Sequence, residues 1–147
     1  MRKNTLLFIL VTCIVSNLNS QKKFSNRKID NLKNQVQQLV EEDKKMTQVM
    51  IDKVFSFGEL GFQEFETSKY MGAILEENGF DVEYQVSNIP TSWLATWSNG
   101  EGGPVIALGS DFDGVPSTSQ YPGVAYEKPV VEGAPGHGEG HNIGLPI

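Results

Sequence analysis

Between Asn26 and Phe57 the chain carries neither proline nor glycine. Its apolar residues there fall at Ile29, Leu32, Val36, Leu39/Val40, Met46, Val49/Met50, Val54 and Phe57. Steps of three and four place these on one face of a helix. One longer gap crosses the mixed-sign run Glu41–Lys45, which reads as a solvated helix face. The pattern predicts one long helix, or two meeting near Glu42–Lys45. Whatever the remainder forms must be built on that helical beginning.

Gly58 and Gly61 break the period. A second helix is predicted over Glu64 to Asn78, burying Phe65, Tyr70, Met71, Ile74 and Leu75, with Gly79 as a left-handed cap. Phe80, Val82, Tyr84 and Val86 alternate with polar residues, as in a half-buried strand. Asn88-Ile89-Pro90 turns the chain into a second strand, Trp93 to Trp97. Asn99 to Gly103 is a turn, and Val105 to Leu108 reads as a short buried strand. From Gly114 to Gly140 the sequence is rich in Pro, Gly and Ser and has no period, as functional or disordered loops are. A helix could start near Asn142. No internal repeat is present. The order predicts an α/β layered domain whose functional loops follow strand ends. Trp93 and Trp97 read as core or interface aromatics, and Phe62 and Phe65 as core. Glu59 and Glu64, flanking a helix start, suit its dipole.

The first twenty residues have the layout of a secretory signal peptide: Arg2 and Lys3, an uncharged apolar run from Leu6 to Val15, then small and polar residues to Ser20. The run is short for a membrane span, so an uncleaved anchor is the weaker reading. Lipoprotein attachment through Cys13 is weaker still. Cys13 is the one cysteine, so residues 21–147 can form no disulfide among themselves. The expected division is a signal peptide over 1–20 and a domain over 21–147, exported to the periplasm or the extracellular space. The composition, 39% hydrophobic and 20% charged, suits a folded domain. The net charge of −6 disfavours nucleic acid and anionic lipid as partners. After signal cleavage no membrane partner is expected.

Two clusters could carry chemistry. Asp111-Phe112-Asp113-Gly114-Val115-Pro116 follows the expected buried strand. If the strand runs on to Asp113, its period of two puts Asp111 and Asp113 on one face, placed to bind a metal or orient a ligand. The competing reading is a turn formed by Asp and Gly. His137-Gly138-Glu139-Gly140-His141 holds both histidines of the chain around a glutamate. In extended form the three side chains project the same way, and imidazole and carboxylate are ordinary ligands of zinc and similar ions. The competing reading is a solvated loop. A serine paired with His137 or His141 lacks a nucleophile-elbow motif.

At these clusters the sequence resembles the zinc-type amidohydrolases, which include hippurate hydrolases and amino-acid-conjugate hydrolases. Glu59-Leu60-Gly61-Phe62-Gln63-Glu64 looks like the family's helix-linking motif. Ile89-Pro90-Thr91 with Trp93 to Trp97, and Pro129 to Gly138, look like the aminobenzoyl-glutamate hydrolase branch. The likeness runs from about Ile51 to Asn142. It implies hydrolysis of an amide bond in an acyl- or aryl-amino acid, an aminobenzoyl-glutamate-like or dipeptide-like small molecule, at a two-metal site holding Zn2+ or Mn2+. Carried over by position, the metal ligands are Glu139 and His141. Asp113 orients a ligand from behind, and His137 lies near the metals. The family places cysteine where Glu139 stands, a harder ligand here that favours Mn2+ or an oxygen-rich zinc site. The resemblance also implies that the general-base glutamate and a lid domain, through which members form homo-oligomers, lie beyond Ile147. The 147-residue chain is then the N-terminal part of a layered catalytic domain, inactive alone. The alternative is a non-catalytic exported binding module or a decayed hydrolase.

Overall fold

The computed structural model describes residues 25–147. The expected signal peptide and Cys13 lie outside the described residues. The chain divides into two compact units, one ending at Glu42 and one starting at Asp43.

Helix α1 spans Asn26–Phe57 as one helix, so the charged Glu41–Lys45 stretch is a solvated face and not a break. Ser25 starts it: the Lys28 amide donates to the Ser25 carbonyl at 2.9 Å and approaches its hydroxyl at 3.4 Å. In the first unit the side-chain amide of Gln38 donates to Glu42 one turn later, at 2.8 Å.

The second unit contains the end of α1, α2 (Phe65–Glu77), a two-stranded antiparallel sheet, a long loop and the single turn α3 (His141–Gly144). Strands β1 (Asp81–Tyr84) and β2 (Trp93–Thr96) pair with Asp81 opposite Thr96 and Tyr84 opposite Trp93. A 3-10 turn at Val86–Asn88 joins them, with Gln85, Ser87 and Asn88 all at positive φ. The core of this unit is Met50, Val54 and Met71, flanked by Tyr70, Ile74, Trp93 and Leu145.

Helix α2 is set by what precedes it. The Glu59 carboxylate accepts the amides of Glu66 and Thr67, each at 2.9 Å, and the Thr67 hydroxyl at 2.8 Å. Amides of a first helical turn have no intrahelical partner, and a carboxylate there also suits the positive end of the helix. Gly79, at φ +85°, follows the helix end as its pattern requires.

Three sequence expectations change. Val105 to Leu108 forms no strand, and Val105 and Leu108 are 98% and 97% exposed. A strand requires a neighbour to accept its hydrogen bonds, and among the described residues the sheet has two strands. The arrangement is therefore a small mixed one of helices and an antiparallel pair. Phe62 and Phe65 are exposed, as is Trp97. Helix α2 buries Met71 as expected, with Tyr70 and Ile74 packed partly buried against the core, but it also buries Thr67, Ser68 and Gly72: Glu59 bonds Thr67, and the Tyr84 hydroxyl lies where a side chain on Gly72 would stand.

Candidate functional site

Three segments meet at the end of α1. Gly114 forms a parallel bridge with Leu60, its amide donating to the Glu59 carbonyl at 2.6 Å. Val115 and Gly136 form an antiparallel bridge, exchanging bonds of 2.8 and 3.1 Å. These bridges hold the acidic segment and the histidine loop against the link that follows α1. The approach is close. A Cβ on Gly136 would stand 2.6 Å from the Thr118 carbonyl oxygen, and one on Gly114 3.0 Å from that of Gly136. Glycine is required at both by contact, and neither has positive φ.

His137 is buried, its side chain fully so. Nε2 lies 3.1 Å from the carbonyl of Val54 in the last turn of α1. That carbonyl belongs to the last four of the helix, which have no intrahelical donor. A carbonyl only accepts, so Nε2 carries a proton and His137 closes the end of α1. Phe55 lies beside it, ring centroids 6.5 Å apart. Nδ1 faces Glu139 Oε1 at 3.3 Å.

That same oxygen lies 3.4 Å from the amide of His141 and 3.5 Å from its Nδ1. Burial pushes the Glu139 carboxyl up, but its own backbone N–H, His137 and the His141 amide outweigh this and hold it below its ordinary range. His141 opens α3 and is about one-third exposed, 35%. Its Nδ1 is 3.0 Å from Asp113 Oδ1 and 3.2 Å from the Asp113 carbonyl. Burial lowers the imidazole's pKa, while the Asp113 carbonyl, the charges of Glu139 and Asp113, and the Asp113 side-chain bond together raise it above the ordinary value. Nδ1 thus donates to Asp113, and in the neutral ring Nε2 offers a lone pair. Asp111 Oδ2 lies 4.0 Å from Nε2.

All four residues named from the motifs come together: Asp113, His137, Glu139 and His141. Their roles differ. Asp113 orients His141, the usual arrangement behind a metal-bound imidazole. His137 spends one nitrogen on a helix end. Glu139 faces the Nδ1 side of His141, and Asp111 the Nε2 side. Imidazole and carboxylate suit a divalent cation in kind. In number they fall short: among the described residues no group of three His, Cys, Asp or Glu could hold a metal ion.

Beside Asp111 and Asp113 lies a cleft of about 360 Å3 that also involves Phe62, Glu64, Thr91, Trp93 and Phe112. Trp93 and Phe112 stack nearly parallel, centroids 6.3 Å apart. Glu64 is buried, and its Oε2 accepts the buried Thr91 hydroxyl at 2.6 Å. The sequence suggests only a helix-dipole role for Glu64. It precedes α2 without capping it, and its place beside this cleft has no signal in the local pattern. Nothing in the sequence links it to Thr91, 27 residues away.

The chain is 36% identical over 104 residues to one of the subunits of the p-aminobenzoyl-glutamate hydrolase of Escherichia coli (strain K12), a match that covers 71% of this chain and 21% of that protein. It is a distant, partial homologue of that hydrolase subunit, as its motifs indicate. The match spans about a fifth of the relative's length. No family model matches the chain, and no solved structure matches it.

Proposed function

We propose that this homologue of a hydrolase subunit is the N-terminal part of the catalytic domain of an exported, metal-dependent amidohydrolase. Its substrate is a small acyl- or aryl-amino acid, aminobenzoyl-glutamate-like or dipeptide-like, cleaved at the amide bond. The activity is proposed for the longer protein to which such a domain belongs. The observation that carries the reading is the 3.0 Å contact of His141 Nδ1 with Asp113 Oδ1, which aims the other ring nitrogen outward.

In this reading His141, through Nε2, and Glu139, once its carboxylate turns from the Nδ1 side where it lies here, would hold a divalent ion, Zn2+ or Mn2+. Such an ion polarises a carbonyl and makes a bound water acidic at neutral pH. The chain's own residues do the positioning. Asp113 fixes the tautomer of His141, and the charged Glu139 offers an oxygen ligand. His137 anchors the loop to α1, and Glu64 and Asp111 line the adjoining cleft.

Two measurements test this. In calorimetric titration of the purified chain with Zn2+ or Mn2+, His141→Ala is expected to weaken binding at least about tenfold, Glu139→Ala somewhat less and His137→Ala by under about twofold. The complete gene product is expected to release p-aminobenzoate from its glutamate conjugate, or benzoate from hippurate. Equal metal affinity for wild type and His141→Ala overturns the ligand assignment. A complete product that hydrolyses none of these amides favours the second reading, an exported binding module or decayed hydrolase.

A further inference from the structure

The first part of α1 carries a pattern that the site does not use. Ile29, Leu32, Val36 and Leu39 follow at steps of three, four and three. These are a and d positions of a heptad seam, with β-branched residues at a and leucines at d. The next a position is Asp43, which ends the apolar seam. The four side chains are 39%, 48%, 57% and 57% exposed, and Val40 beside them is 64% exposed. The b, c and f positions are polar throughout: Arg27, Asp30, Asn31, Asn34, Gln37, Gln38 and Glu41. Charge is split along the segment. Arg27, Lys28 and Lys33 come first, with Asp30 the single exception, and Glu41 and Glu42 come last.

We propose that this segment is a self-association surface, through which two copies of the chain pair as an antiparallel two-stranded coiled coil. One alignment places all four apolar layers together: Ile29 on the partner's Leu39, Leu32 on the partner's Val36, and the two reciprocal layers. The same alignment sets Lys28 beside the partner's Glu42, twice by symmetry, and Gln35 beside the partner's Gln35. A parallel pair would bring Lys28 against the partner's Lys33, twice by symmetry. The charge split therefore selects the antiparallel arrangement. Lys33 meets its own copy at the centre, where long exposed side chains can splay apart. The seam buries about 500 Å2 per copy, or roughly 1,000 Å2 in all, the lower bound for a specific interface. A weak, reversible dimer is expected, with Kd of about 10–100 μM, formed without residues of the candidate site.

Sedimentation equilibrium on the full chain tests the proposal. A monomer–dimer equilibrium is expected in that range, abolished by Leu32→Lys with Leu39→Lys while the helical circular dichroism persists. Lys28→Glu is expected to weaken the dimer at least about fivefold, and adding Glu42→Lys to restore it. In a Cys13→Ser background, Gln35→Cys should be joined to its copy by a short thiol crosslinker. Lys28→Cys should not, since antiparallel copies separate those positions by about 21 Å along the axis. A chain that stays monomeric at about 500 μM overturns the proposal. So does equal crosslinking at both positions, or a dimer indifferent to the two Leu→Lys changes.

Discussion

His137→Ala separates the two roles open to a histidine in this loop. In the structure the imidazole is buried and donates to Val54 O at 3.1 Å. Truncation removes that bond and leaves a carbonyl at the helix end without its donor, costing about 1–3 kcal/mol. It also opens a space beside Phe55, and a lost ring in a packed site adds about 1–2 kcal/mol after partial collapse. The sum is about 2–5 kcal/mol, a large share of the stability of a small domain. His141→Ala, at a side chain 35% exposed, is expected to cost under about 1 kcal/mol. The assay is urea unfolding of the metal-free chain, followed by circular dichroism at constant pH. His137→Gln should recover part of the loss, because its amide can reach toward the same carbonyl. A His137→Ala cost below about 1 kcal/mol, or one no larger than that of His141→Ala, would refute the reasoning and free His137 for a role at the metal.

Three further outcomes are expected. Glu59→Ala removes the acceptor of two helix amides and of the buried Thr67 hydroxyl, and should cost about 2–4 kcal/mol in the same assay. In a cycle with Thr67→Val about 1 kcal/mol of coupling is expected, and strict additivity would show that the carboxylate is not the cap. Gly136→Ala places a methyl 2.6 Å from the Thr118 carbonyl oxygen, and should cost at least about 2 kcal/mol and broaden the NMR signals of both histidines; an unchanged melt would show that the bridge to Val115 is loose. The pKa of His141 is raised from its ordinary 6.5 in the fold. Its protonated form therefore contributes stability that is fully present below 6.5 and lost as pH rises through the folded midpoint. NMR of the metal-free chain should place that midpoint above 6.5, with Asp113→Asn moving it down; a midpoint at or below 6.5 contradicts the geometry.

Much of the fold is legible in the sequence because it rests on local rules. The glycine-free apolar period specifies α1, and alternation with a turn at Asn88-Ile89-Pro90 specifies β1 and β2. The strand expected at Val105–Leu108 fails for a reason outside its own residues, since strand pairing depends on a partner that a local pattern does not contain. The buried face of α2 keeps the expected Met71 but adds Thr67 and Ser68 and leaves Phe65 exposed, because hydrophobic spacing says nothing of a carboxylate six residues before the helix that binds the threonine. At the site, alternation of His, Glu and His with glycine correctly groups the residues. It does not reveal that one imidazole is committed to the end of a helix that closes 80 residues earlier (His137 and Val54 are 83 apart). Long-range bonds of this kind, like that of Glu64 with Thr91, have no sequence signature.

The bare segment after Pro104 has a practical consequence for anyone handling the protein. Val105-Ile106-Ala107-Leu108 is uncharged and favours extended pairing, and Val105, Ile106 and Leu108 are at least 80% exposed. Short segments of that kind recruit identical neighbours into stacked sheets. Collisions at these four residues are then an expected route by which a concentrated solution loses protein while the rest stays folded. A single lysine at Ile106 should slow that loss while leaving the melting temperature where it was.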